Sequence, residues 1–192
     1  MSKTPAQKLL AAYGEGERNF HHCQLAGGQL ADSDLSAAMF SGGAFEGVDL
    51  SGSDLRSANL VGANLARANL KGADLRGADL SGATLVEANL TRADLRGVAF
   101  TDGRLAGARF RRVDLAGADL RGVDLANADL EEADLCGANL TGASLRGANL
   151  RGANLSGANL NGADFTRAVI YGVNFGGAQL RRAELAEATI ES

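Results

Sequence analysis

The run Ala58-Asn-Leu-Val-Gly-Ala-Asn-Leu-Ala-Arg-Ala-Asn-Leu-Lys-Gly-Ala-Asp-Leu75, which continues in the same cadence to Asp94-Leu95, decides the fold. Outward from it the spacing holds from Phe20 to Ile190. All 35 residue numbers divisible by five carry Leu, Phe or Ile, with Leu at 26, Phe at seven and Ile at two. On a helix a step of five is a net rotation of about 140°, so these side chains would wander round it. On a straight strand an odd step sends each one to the opposite face. Neither regular element buries the set. The chain must change direction once per five residues, which describes a solenoid of short extended sides and corners.

Each large apolar residue is the centre of a side. The residue two before it shares its face and is Ala in 23 of 34 cases, never larger than Val. A narrow interior thus takes one large and one small side chain per side. Two residues after the centre stand 20 of the chain's 26 glycines. Glycine tolerates φ > 0 at little cost, so the corners are expected there.

Tandem Ala-Asp/Asn-Leu-x-x over nearly the whole chain resembles the pentapeptide-repeat family. The resemblance implies an all-β, right-handed, four-sided (quadrilateral) parallel β-helix with four pentapeptides, or 20 residues, per coil. One feature of the sequence agrees independently. Of the 12 aspartates that immediately precede a centre, six fall in one 20-residue column: Asp34, Asp54, Asp74, Asp94, Asp114 and Asp134. At ~4.8 Å per coil the repeat makes about eight to nine coils and a rod ~42 Å long.

Residues 1–16 lie outside the repeat and 17–192 carry it. Thr4-Pro5-Ala6-Gln7 reads as a helix start, with Thr as N-cap, Pro at the first position and Gln three after the cap. Ala6, Leu9, Leu10 and Tyr13 form one apolar stripe, and Gly14-Glu15-Gly16 ends it. This capping helix is expected to cover the open end of the first coil. Residues 17–55 are a worn repeat, whereas 56–97 and 114–168 are near-consensus. Between the latter two, Val98–Val113 departs. Ala99, Arg104 and Arg109 replace Asp or Asn, Phe100 and Phe110 replace Leu, and Arg111-Arg112 follow. After Ile190 no capping pattern follows, so the last coil is expected to be uncovered, an edge that invites association. The resemblance implies an end-to-end homodimer through the C-terminal coil. The charges Arg181, Arg182, Glu184, Glu187 and Glu191 would otherwise shield the edge.

Little catalytic chemistry is visible. Cys23 should point in and Cys136 out, about 27 Å apart at the coil spacing, beyond disulfide range. His21 and His22 should face outward, away from Cys23, so no metal site is expected, and no cofactor. No triad can be assembled from two adjacent histidines, and the glycines follow the repeat instead of forming a phosphate loop. The chain therefore reads as not an enzyme. No apolar run is long enough for a membrane span and no signal-peptide pattern is present, so the default location is cytoplasmic.

The net charge of −4 argues against direct nucleic-acid binding, which needs a basic footprint. The outward side with the aspartate column carries six Asp and three Arg, Arg56, Arg76 and Arg96. Two readings of it stand side by side. Asp and Asn are local hydrogen-bonding residues near turns, and Asn takes the same slot ten times. Alternatively, a ladder of negative charge on a DNA-thick rod mimics DNA. The resemblance implies that some members bind type II topoisomerases, chiefly DNA gyrase, and protect them from quinolones or natural toxins. On that reading Asp34, Asp114 and Asp134 contribute most, because no Arg follows them. The rival is a protein-interaction scaffold, for which Arg92, Arg109, Arg111 and Arg112 form a basic patch, followed one coil later by Asp129, Glu131 and Glu132.

Overall fold

The structure, a computed structural model, describes residues 2–190; of the charges named at the C-terminal end, Glu191 lies outside them. The chain opens with one helix, α1 (Pro5–Gly14), and then winds without interruption. Thr4 caps α1 as its composition predicts. The Thr4 hydroxyl accepts from the Gln7 N–H, and the Gln7 side chain accepts from the Thr4 N–H.

Beyond α1 every pentapeptide contributes one bridged residue and one corner. The bridges are all parallel and join each residue to the one 20 further on, from Asn19–Met39 to Val169–Thr189. The register is thus four pentapeptides per coil, with every coil stacked in step on the next.

Residues 75–79 show why this winding is stable, since backbone N–H groups must find acceptors. Leu75 donates to the Asp94 carbonyl (2.8 Å), Gly77 to Arg96 (3.1 Å) and Asp79 back to Ala58 (3.0 Å), all in neighbouring coils. Ala78 donates to Leu75 across the corner (2.9 Å). The Arg76 N–H remains, and the Asp74 carboxylate two residues before accepts it (3.2 Å). This last bond is what the recurring Asp or Asn supplies.

All 34 corner positions from His22 to Glu187 have φ near +60°. A positive φ confined to the third residue of the turn is the type II pattern. Twenty of these residues are glycine, but fourteen are not. The left-handed conformation costs an L-residue about 1–2 kcal/mol, and twelve of those fourteen donate their N–H to a carbonyl of the next coil, which holds them in place.

The centres and the small residues beside them form one continuous core, buried without a gap from Leu35 to Phe165. Beside Phe45 the neighbour shrinks to match. A Cβ on Gly43 would lie 2.5 Å from the Phe45 ring, so the glycine makes room for it. Phe100 and Phe110 meet edge to face at 6.4 Å. Ala6, Leu9 and Tyr13 of α1 belong to the same core, with Leu10 packed at its margin. The expectation that all 35 centres are buried fails at the far end. Leu180, Leu185 and Ile190 are exposed, Ile190 at 69%, because no further coil stacks on them.

Candidate functional site

The aspartate column occupies one bridged line, Asp34–Asp54–Asp74–Asp94–Asp114–Asp134. Its carboxylates are engaged first by the chain itself. Each accepts the backbone N–H two residues on, as in Ser36 to Asp34 (3.0 Å), Ala116 to Asp114 (3.0 Å) and Cys136 to Asp134 (3.0 Å). Asp54, Asp74 and Asp94 are also forked by Arg56, Arg76 and Arg96. Each of these arginines then reaches the aspartate of the next coil: Arg56 to Asp74 at 3.8 Å, Arg76 to Asp94 at 3.5 Å and Arg96 to Asp114 at 3.4 Å. The result is a zipper of alternating sign from Asp54 to Asp114. Hydrogen bonds from the arginine side chains hold the Asp54, Asp74 and Asp94 carboxyls below the usual carboxylate range.

This changes the sequence-based ranking of the column. Asp114 was expected to stand without an arginine, but Arg96 reaches it from the preceding coil. Asp34 receives the Tyr13 hydroxyl (3.3 Å), which also donates to the Ser36 carbonyl (2.8 Å) and so ties α1 to the shaft. Asp134 receives the Asn154 amide (3.0 Å), and Asn174 continues that ladder onto Asn154.

The arginine patch divides in two. Arg111 pairs with Glu131 (2.8 Å) and Asp129 (3.5 Å), and Arg112 with Glu132 (2.6 Å). Arg92 and Arg109 make no ion pair among the described residues, nor does neighbouring Arg104. All three are exposed.

The remaining chemistry is sparse. Burial pushes the half-buried Cys23 thiol up to about 11, and Cys136 is exposed. The His21 ring contacts the Ser41 hydroxyl one coil on. Among the described residues no three metal-ligating side chains converge, and no helix is long and apolar enough to cross a membrane. A recess of about 380 Å³ lies between α1 and the first coil, lined by Thr4, Pro5, Leu25 and Gly28 among others, none of them titratable. What the surface offers is an array of outward side chains fixed in register on a convex rod.

That geometry defines a β-helical repeat rod built to present side chains. The chain belongs to the pentapeptide repeat family. The family model, pentapeptide repeats, matches in eight copies within residues 19–52, 49–86, 58–97, 88–127, 118–157 and 148–186, and the fold is the family's right-handed β-helix. HetL from the cyanobacterium Nostoc sp. strain PCC 7120, involved in heterocyst differentiation regulation, is 34% identical, with 92% of this chain and 93% of that one covered and a TM-score of 0.44. A trypsin-treated form of QnrB1, a plasmid-mediated fluoroquinolone resistance protein, is 22% identical over 85% of this chain and 90% of its own, with a TM-score of 0.61, a likeness of fold alone. A pentapeptide repeat protein of the Arabidopsis thaliana thylakoid lumen is 35% identical over 54% of this chain and 69% of its own, with a TM-score of 0.43. No curated protein matches the chain.

Proposed function

We propose that this chain is a non-enzymatic pentapeptide-repeat binding protein whose ligand is another protein. One observation carries the reading: its charged side chains stand on a convex shaft in fixed 20-residue columns, with no titratable group in the recess beneath α1. The architecture behind it is a four-sided column over residues 17–192, capped by a helical segment within residues 1–16. Burial of Ala6, Leu9 and Tyr13 in the common core supports the cap.

The more specific form of the proposal is a DNA mimic that binds a type II topoisomerase, DNA gyrase, and modulates it or protects it from quinolone or toxin inhibitors. The unbroken aspartate column favours it, because a regular anionic line steers a rod toward a basic saddle. The arginine zipper weakens the field between Asp54 and Asp114 and leaves Asp34 and Asp134 as the column's carboxylates without an ion pair. A gyrase supercoiling assay, with and without a quinolone, tests it. Inhibition or drug protection is expected at modest molar excess, weakened by Asp34→Asn with Asp134→Asn. No effect at large excess leaves the alternative, a protein-interaction scaffold with an unrelated bacterial partner.

The same rod is proposed to dimerise through its last coil. Leu180, Leu185 and Ile190 are apolar and exposed, stacked on the preceding coil but with no coil beyond them among the described residues. Sedimentation at micromolar concentration should give a dimer that Leu185→Lys converts to monomer. A monomer at all concentrations would end the idea.

A further inference from the structure

We infer that the recess between α1 and the first coil is a docking site for a short, uncharged, extended peptide of a protein partner. The peptide takes the place that one side of a preceding coil would fill.

The first observation is a vacancy in the ladder. A bridged residue inside the shaft pairs in both directions, as Ala44 does with Gln24 and Asn64. Gln24 and Gln29 pair only forward, with Ala44 and Asp49. Their remaining main-chain groups face the place where an earlier coil would lie. Among the described residues the Gln24 and Gln29 N–H groups find no acceptor, and the Gln24, Ala26 and Gln29 carbonyls find no donor. At two other points of this edge the chain supplies partners of its own. The Glu17 carboxylate accepts the Asn19 N–H (2.6 Å), and the Tyr13 hydroxyl donates to the Ser36 carbonyl (2.8 Å).

The second is enclosure. α1 walls this stretch without pairing it, because Pro5 has no N–H and those of Thr4 and Gln7 are spent within the capping box. A recess of about 380 Å³ is left between residues 4–7 and 24–29, within the range of ligand pockets. Its apolar surface comes from Pro5, Ala6 and Leu25. The open edge at the other end of the rod has no such wall, and Leu185 there stands exposed.

The third is the lining. The chain has four glutamines, and Gln7, Gln24 and Gln29 line this one recess. A glutamine amide both donates and accepts, as a peptide main chain does. The side-chain oxygens of Gln24 and Gln29 and the Gln7 amide NH2 have no partner among the described residues. No lining residue is titratable, so nothing selects an ion.

The occupant's chemistry follows from the register of the coil above. There Ala44 donates to the Cys23 carbonyl (2.8 Å), Leu25 to the Ala44 carbonyl (2.8 Å) and Gly27 to the Glu46 carbonyl (2.8 Å). Moved back by one coil, the same pattern has a peptide carbonyl accept the Gln24 N–H. The peptide then donates to the Gln24 carbonyl and, three residues after the paired one, to the Ala26 carbonyl. The residue that donates to Gln24 stands over Leu25, where a large apolar side chain fits. This is strand addition at an open edge. A small apolar molecule would leave these polar groups unpaired.

This deepens the protein-binding reading, on which it rests, at a site apart from the charged columns. The test is a titration of the full chain, followed by backbone amide NMR shifts. The probe is a blocked heptapeptide copy of residues 152–158, Gly-Ala-Asn-Leu-Ser-Gly-Ala. Saturable shifts confined to residues 4–7 and 24–29 are expected. The same peptide N-methylated at its leucine loses the donor to the Gln24 carbonyl and should bind about tenfold or more weakly. Replacing that leucine with aspartate should weaken binding as much. Gln24→Pro removes an N–H that the fold does not use, at an edge that tolerates proline. It should keep the parent's melting temperature and bind the peptide about tenfold or more weakly. No shifts at millimolar peptide, shifts in residues 173–190 instead, or equal binding by the N-methylated peptide would each overturn the site. The peptide arms decide the question even if Gln24→Pro does not fold. Gyrase inhibition without these shifts would remove this inference alone. Shifts in a chain that is inert in the supercoiling assay would remove the gyrase reading alone.

Discussion

Replacing Leu75 with alanine should destabilise the shaft by about 2–5 kcal/mol, whereas the same change at Leu185, measured at a concentration low enough to keep the chain monomeric, should cost no more than about 0.5 kcal/mol. Both residues are centres of a pentapeptide, and nothing in their local sequence separates them. Leu75 is fully buried, with a coil on either side, whereas Leu185 is 48% exposed on the last coil. The loss at position 75 combines lost transfer free energy with a cavity that cannot close, because hydrogen bonds to both neighbouring coils fix the backbone around it. For a chain of this length the melting temperature should drop by roughly 4–20 °C in the first variant and hardly move in the second. Urea titration of the two variants beside the parent decides the matter. Equal losses at both positions would mean that the stacked coils do not share one core.

Acid should unfold the rod over a narrow and predictable range. The carboxyls of Asp49, Asp54, Asp74, Asp94 and Asp164 are all held low in the fold. For Asp49 the Ser51 hydroxyl is the main cause, followed by the Ser51 N–H. For Asp164 the Thr166 side chain leads and Arg146 follows, taking the carboxyl to about 2. A carboxyl with a folded value below its unfolded value near 3.9 contributes stability that is complete above the unfolded value. That stability is lost as pH falls through the folded one. Stability should therefore be flat from neutrality to about pH 4 and fall between there and about pH 2. Asn keeps the oxygen that accepts the turn N–H but does not titrate, as Asn59 and Asn64 already show in the same slot. Exchanging Asp49 and Asp164 for Asn should make the acid limb shallower. Melting curves from pH 7 to pH 2 that stay level in the parent, or a limb unchanged in the variant, would show that these carboxylates do not carry the acid response.

Most of the architecture was legible because it is written in single positions. The fifth-residue centres, the small partner two before and the corner two after each depend on one residue, and the helix start at Thr4-Pro5-Ala6-Gln7 is a local code of four. The corners were legible even where glycine is absent. Arg67 and Glu87 adopt the left-handed conformation because the ladder leaves them no other. What stayed hidden lies 18 to 23 residues apart in the chain. The reach of Arg96 to Asp114 and of Arg111 to Glu131, and the Tyr13 hydroxyl on Ser36, depend on side-chain direction across coils, which no repeat pattern encodes. The candidate surface was therefore legible as a set of columns. Which of its charges are already spent was not.

The in-step stacking of residue n on residue n + 20 has a consequence for how such a chain can lengthen. A duplication of twenty residues would add one storey and leave every façade above it facing the same way. A duplication of five would swing all later storeys by one side and carry the second half of any surface motif round the corner from the first. Growth or shrinkage that preserves a recognition surface must therefore proceed in whole turns of the winding, even though the visible unit of the text is only a quarter of that.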